Sequence, residues 1–289
     1  MKDIAIVVDS ACGLDKIQAE KLGFYFLPLQ IQMDGLNYND GIDINSSTFF
    51  DKFNLNTKGV KTSATPIGYS ENLIEELSNK YKQVVIFPIS QHLSSQYSFL
   101  KIISDKYQNV HVVESVDVAQ TILFRVNKFI TNLEKLGLDN SIKLASIWND
   151  SELDITLVPK YNDYLVKGGR LSKPVATLAK LLKIVPLIRF QNGTLEKQGK
   201  GRLFLKSLQN ALDEKMQKFS SDDEIILLGQ KTSEAKELLT YLEQKYQVKT
   251  RIFPIPNVIS IHTGPEAIVI LKGTKLKTTL EKYFNNENI

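Results

Sequence analysis

The 289-residue chain is poor in the residues that most often carry metal and redox chemistry. It has one cysteine, Cys12, and three histidines, His92, His111 and His262. A lone cysteine closes no internal disulfide and builds no multi-cysteine zinc site, so a reducing, cytoplasmic location is expected. Long apolar runs are also missing. The longest, such as residues 4–8 and 267–271, have five residues, whereas a membrane helix takes about 20. Asp9 interrupts the first run too early for a signal-peptide core, and no stable membrane insertion is expected. Nor does one sign of charge dominate: 36 Lys+Arg stand against 32 Asp+Glu, a formal net charge of +4 spread along the chain. Even with a pI near 8.8, that gives little support to a nucleic-acid partner, and none is expected. With 43% hydrophobic and 24% charged residues, the composition is that of a globular protein that buries roughly three quarters of its unfolded surface.

Catalytic templates are absent too. There is no G-x-S-x-G, H-E-x-x-H, paired C-x-x-C or Walker A pattern. Gly199-Lys200-Gly201-Arg202 lacks the third glycine of a dinucleotide loop and follows a hairpin pattern. Gly229-Gln230-Lys231-Thr232 lacks the glycine-rich lead of a phosphate loop and reads as a strand-to-helix turn. No cluster of His, Cys and carboxylates marks a metal site, and no cofactor is expected.

What is present is alternation. Ile4-Ala5-Ile6-Val7-Val8, ending in Asp9-Ser10, has the unbroken apolar character of a buried parallel strand that opens into a loop. Residues 29–33 alternate, then Asp34-Gly35 supplies the turn residues of a hairpin completed by residues 36–38. Strand-like runs at 84–87 and 110–113 alternate with helical spacing at 94–107 and 119–136, and Ser46-Ser47 reads as a helix cap. Residues 1–155 are therefore expected to form a parallel, doubly wound, Rossmann-like α/β domain. The remainder, 156–289, mixes a hairpin around Asn192-Gly193, helical stretches at 203–219 and 233–246, and strands at 224–228, 248–254 and 267–271. That pattern predicts an α+β domain with a mixed sheet, and the Asn-rich end, 285–289, is expected to fray.

Small polar residues lie just after predicted strands or in loops, and the carboxyl ends of the strands are where an open α/β sheet takes its ligand. These are Thr62-Ser63-Ala64-Thr65, Ser90 with Ser94-Ser95, and Ser115. Hydroxyls and backbone N–H groups at helix starts suit an anion, although at any single site an ordinary helix cap is the favoured reading. His111 sits in an apolar strand and reads as a packed or exposed residue. Lys167-Gly168-Gly169-Arg170-Leu171-Ser172-Lys173 ends one helix and starts another, setting Arg170 on a tight turn beside lysines, a geometry suited to phosphate or carboxylate. His262-Thr263-Gly264-Pro265 combines a titratable ring, a hydroxyl and a constrained turn. Spacing alone leaves both segments open to a purely structural role.

In order and spacing, these pieces resemble the DegV family of bacterial lipid-binding proteins. The resemblance runs nearly end to end through Val8-Asp9-Ser10, Pro28-Leu29, Asp34-Gly35, Asp40, Lys61-Thr62-Ser63, Ile89-Ser90, Leu93-Ser94, Tyr97, the Gly-Gly-Arg turn and His262-Thr263-Gly264-Pro265. It implies two α/β domains with one long-chain fatty acid buried between them. The fatty-acid carboxylate would be held by Thr62 and Ser94, with Ser63 and Ser95 as their neighbours in register and His262 close by. Arg170, with Lys173, would face an incoming phosphate or a partner. It further implies a substrate-presenting protein rather than an enzyme: a separate ATP-dependent fatty-acid kinase subunit phosphorylates the carboxylate, and the acyl phosphate enters phospholipid synthesis. The alternative is a stand-alone lipid hydrolase or phosphotransferase using Ser94 or His262. A nucleic-acid binder centred on Lys167, Arg170 and Lys173 ranks last. The chain departs from the family pattern at Ala64-Thr65 (usually Gln-Pro), at Ser95-Gln96 (usually Gly-Thr), at Glu114 (usually Asp) and at Glu266 (usually Gly).

Overall fold

The computed structural model describes residues 2–179 and 183–284; the end expected to fray, 285–289, lies outside them. The chain forms two units. The first runs to Trp148 and adds Pro256–Val258; the second takes Asn149–Ile255 and resumes at Ile259.

In chain order the first unit contains β1 (Lys2–Asp9), β2 (Tyr25–Leu27), β3 (Gln30–Met33), β4 (Leu36–Asn39), β5 (Lys61–Ser63), β6 (Tyr81–Phe87) and β7 (Val110–Val112). Four of them make a parallel sheet in the order β2-β1-β6-β7. The chain steps outward from β1 to β2 and later returns to the other side of β1 as β6, so the topological switch lies between β1 and β6. The unbroken apolar strands follow from coverage on both faces. Val7, Val84 and Ile86 pack with Ile74 and Leu77 of helix Ile67–Lys80 and with Leu100 and Ile103 of helix Gln96–Ser104. On the opposite face Phe87 meets Phe129 of helix Thr121–Ser146 with ring centroids 5.5 Å apart. That helix continues beyond the stretch expected from sequence, across a break at Gly137, whose φ of 72° is open to glycine.

A second, antiparallel sheet has the order β4-β3-β5. Its Asp34-Gly35 turn has positive φ at both residues, 49° and 81°, as a tight primed hairpin requires. Thr62-Ser63, expected to follow a strand or to lie in a loop, belong instead to a strand themselves: β5 pairs with β3, Thr62 opposite Ile31, but is too short for alternation to show in the sequence. The expected cap at Ser46-Ser47 is also corrected. Asn45 Oδ1 gathers the Ser47 and Thr48 N–H groups, at 3.1 and 3.3 Å, before the short helix Phe49–Lys52.

The second unit contains β8 (Leu153–Val158), β9 (Val185–Gln191), β10 (Thr194–Gly201), β11 (Asp223–Leu228), β12 (Ile252–Phe253) and β13 (Ile268–Thr274). They form a six-stranded sheet, β10-β9-β8-β13-β11-β12. It is mixed, because β11 and β12 are parallel while the other pairs are antiparallel. β8 runs through the boundary expected at 155/156, and both of its neighbours, β9 and β13, belong to this unit. Leu208, Ala211 and Leu212 of helix Phe204–Met216, and Leu238 and Leu242 of helix Ser233–Tyr246, pack with Val158, Ile225, Leu227, Ile268 and Ile270. Gly199-Lys200-Gly201 lies within β10, and Thr232 caps the helix after β11, accepting from Ala235 N at 3.2 Å. The fold is α/β, with a parallel sheet in one unit and a mixed sheet in the other.

Candidate functional site

At the switch point the carboxyl ends of β1 and β6 are tied by one side chain. Asp9 is fully buried; its Oδ1 accepts from Ala11 N at 3.1 Å and its Oδ2 from Ile89 N at 2.7 Å. Burial pushes its carboxyl up to about 7 against those two hydrogen bonds. Asp40, equally enclosed, is also raised to about 7 by burial, and accepts from Asn257 Nδ2 at 2.9 Å. The loop that follows β6 is tied in turn. Ser90 N donates to Asp117 O at 2.8 Å, and Gln91 N to Ser115 O at 3.1 Å. Asp117 is paired with buried Arg125, Nε to Oδ2 2.9 Å. Ser90 and Ser115 thus serve the backbone of this loop: the Ser90 hydroxyl accepts from His92 N and that of Ser115 from Asp117 N, both at 3.2 Å.

The Thr62 and Ser94 segments meet beside it. In β5 only Thr62 is turned inward; Lys61 and Ser63 are exposed, as alternation in a strand dictates. Ser94 is half-buried and Ser95 exposed, so burial separates Thr62 and Ser94 from the neighbouring serines. Ser94 Oγ accepts from Gln96 N at 3.2 Å, which leaves its own hydroxyl hydrogen for another acceptor. Gln96 then reaches across to Thr65: its Oε1 accepts from Thr65 N and its Nε2 donates to Thr65 Oγ1, both at 2.9 Å. Thr65 immediately precedes Pro66, the N-cap of helix Ile67–Lys80, and Gln96 opens helix Gln96–Ser104. Two helix N-termini are therefore held side by side next to the Thr62 strand and the Ser94 hydroxyl, and both present positive dipole ends.

In the second unit the glycine-rich turn and the histidine segment come together. Helix Asn162–Gly168 ends on Gly169 in the left-handed conformation, φ 66°. A Cβ on Gly168 would stand 2.7 Å from His262 Nδ1, and one on Gly264, φ 81°, would stand 2.7 Å from the Tyr164 ring. Both glycines are required by close approach. Burial, with the charge of Arg170 added, lowers the His262 ring to about 4 and keeps it neutral at pH 7. Arg170 is exposed and its Nη1 donates to Gly168 O at 2.7 Å, closing its own turn. Lys173 is exposed at the start of helix Lys173–Ala179. His111 pairs with Gln83 Oε1 at 2.7 Å on the parallel sheet, and His92 is exposed.

A family model described as "Uncharacterised protein, DegV family" matches residues 3–272. The chain belongs to the DegV family. A DegV domain-containing protein of Mycoplasmopsis pulmonis is 41% identical over 271 residues, covering 92% of this chain and 93% of the relative. One from Staphylococcus aureus is 29% identical over 280 residues, covering 92% and 98%. Among solved structures, a fatty-acid-binding DegV from Bacillus subtilis is 23% identical with a TM-score of 0.77, covering 95% of this chain and all of that one. A stearic-acid-binding protein from Eubacterium ventriosum is 24% identical with a TM-score of 0.76, covering 96% of this chain and all of that one.

Three of the residues read as departures from the expected pattern, Glu266, Thr65 and Gln96, have defined partners in the structure. Glu266 keeps a glycine-like backbone, φ 61°, and its carboxylate is taken up by Lys160 Nζ at 2.6 Å and Tyr161 OH at 3.3 Å. Lys160 also holds Glu234 at 2.6 Å. Thr65 and Gln96 answer each other, and neither partner could be read from the sequence, being thirty-one residues apart. The Asp117–Arg125 pair was missed as well. Its signal was an arginine among the buried apolar residues Ile122, Leu123, Val126 and Phe129 of one helix. Among the described residues no group of His, Cys, Asp or Glu is placed to hold a metal ion, and no helix is long and apolar enough to cross a membrane.

Proposed function

We propose that this chain binds one long-chain fatty acid, its carboxylate held by Thr62 and Ser94, and presents that carboxylate to a separate ATP-dependent kinase subunit that forms an acyl phosphate. The observation that carries the reading is the meeting of the Thr62 strand with the Ser94 helix start, cross-linked by Thr65 and Gln96. A carboxylate leaving water needs hydrogen-bond donors, and the Thr62 and Ser94 hydroxyls beside two paired helix starts supply them with favourable dipoles. The fatty acids named for relatives in Bacillus subtilis and Eubacterium ventriosum agree with that head group. Burying about 15 methylenes at ~0.8 kcal/mol each favours binding by roughly 12 kcal/mol before the ordering of the chain offsets much of it. Ser63 and Ser95, which face outward, take the donor role only if the register is displaced by one. Neutral His262 is assigned to the head-group region, and Arg170 with Lys173 to the phosphate or to acidic residues of the kinase subunit. In this reading phosphotransfer is the partner's, and the chain by itself is no enzyme.

The test is a palmitate titration of Thr62→Val/Ser94→Ala. Each lost bond to a charged acceptor is worth about 1.5–3 kcal/mol, so affinity should fall at least roughly a hundredfold while the fold persists. Unchanged affinity would reject the site. Loss in Ser63→Ala/Ser95→Ala instead would move it by one residue.

A further inference from the structure

We propose that Gln96 and Thr65 are positioning residues that set the separation of the two head-group donors; the inference rests on the fatty-acid reading above. Gln96 is 1% exposed and Thr65 3%. An amide buried that deeply is tolerated because both of its ends are matched, oxygen to Thr65 N and nitrogen to Thr65 Oγ1, each at 2.9 Å. The same residue donates its backbone N–H to Ser94 Oγ at 3.2 Å. Gln96 therefore holds one donor directly and the other through the short link from Thr65 back to Thr62 in β5. By occupying a lone pair of Ser94 Oγ, it also turns that hydroxyl's hydrogen away from itself.

A carboxylate presents acceptor oxygens to both donors at once, whereas an alcohol of equal chain length satisfies fewer of them. A clamp that fixes donor separation therefore acts on the choice of head group, while a purely structural stitch acts on stability alone.

The experiment compares palmitic acid with 1-hexadecanol on the full chain. Gln96→Met, which keeps the volume and removes both side-chain bonds, should weaken palmitate roughly tenfold and leave hexadecanol within about twofold. Thr65→Val should move the ratio the same way, and Thr65→Ser, which restores the hydroxyl, should return it to wild type. Should Gln96→Met fail to fold, the Thr65 pair gives the same readout. An unchanged ratio in a folded variant, or equal weakening of both ligands, overturns the positioning role while leaving the fatty-acid reading intact. A wild-type chain that binds neither ligand overturns both.

Discussion

The resemblance to DegV proteins leads to an expected glycine at position 266, and the backbone of Glu266 has a φ of 61°, in the region that favours glycine. A side chain in that region costs about 1 kcal/mol or more, and here the carboxylate offsets it through Lys160 and Tyr161. Two substitutions separate the effects. Glu266→Gly removes the strain and the ion pair together and should change stability by less than about 1 kcal/mol. Glu266→Ala keeps the strain and loses the pair, and should destabilise by about 1–2 kcal/mol in urea unfolding. A Glu266→Ala variant more stable than Glu266→Gly would mean that the backbone there is unstrained. At this scale the sequence was informative about residue types and silent about partners. Gln96 was legible as an added side chain beside the head-group segment, yet its mate at Thr65 lies beyond any local pattern.

The ends of β1 and β6 bring buried acids to the switch point of the parallel sheet, and their titration makes stability depend on pH in an unusual direction. Asp9 and Asp40 rise from 3.8 to about 7, so between about pH 4 and 7 the folded chain holds protons that the unfolded chain has released. Stability should fall as pH rises across that window, by up to about 1.4 kcal/mol per pH unit for each group. His262 opposes this: lowered from 6.5 to about 4, it favours the folded state above about pH 6.5, and that contribution is lost as pH falls toward 4. Urea titrations from about pH 4.5 to about 6.5 should therefore show a steeper decline in His262→Gln than in wild type and a shallower one in Asp40→Asn. Identical slopes in all three would contradict the burial of these groups. Elements with strong periodicity, such as Ser233–Tyr246, and with explicit turn chemistry, such as Asp34-Gly35 and Asn192-Gly193, were legible from sequence. β5 was not, because three residues cannot display alternation and its pairing with β3 is long-range. The continuation of helix Thr121–Ser146 past Gly137 was hidden for the opposite reason: glycine reads as a stop.

For the whole molecule, the α/β class and the mixed sheet followed from the order of strands and helices, while the chain's return to the first unit at Pro256–Val258 left no compositional mark. The proposed hand-over to a kinase subunit is tested at this level. Arg170 closes its own turn through Gly168 O, and the guanidinium fork remains suited to a phosphate. Arg170→Ala should spare palmitate binding and reduce acyl-phosphate formation by roughly ten- to a hundredfold when kinase subunit and ATP are supplied. Normal turnover would reject the role, and lost palmitate binding would make Arg170 a carboxylate ligand instead. The central claim is that the chain carries a fatty acid, and mass spectrometry of lipid extracted from the purified protein tests it most directly. The account predicts a free, unesterified long-chain fatty acid at close to one per chain, depleted in Thr62→Val/Ser94→Ala. Protein that retains no fatty acid even after incubation with palmitate, or that carries only esterified lipid, would contradict it.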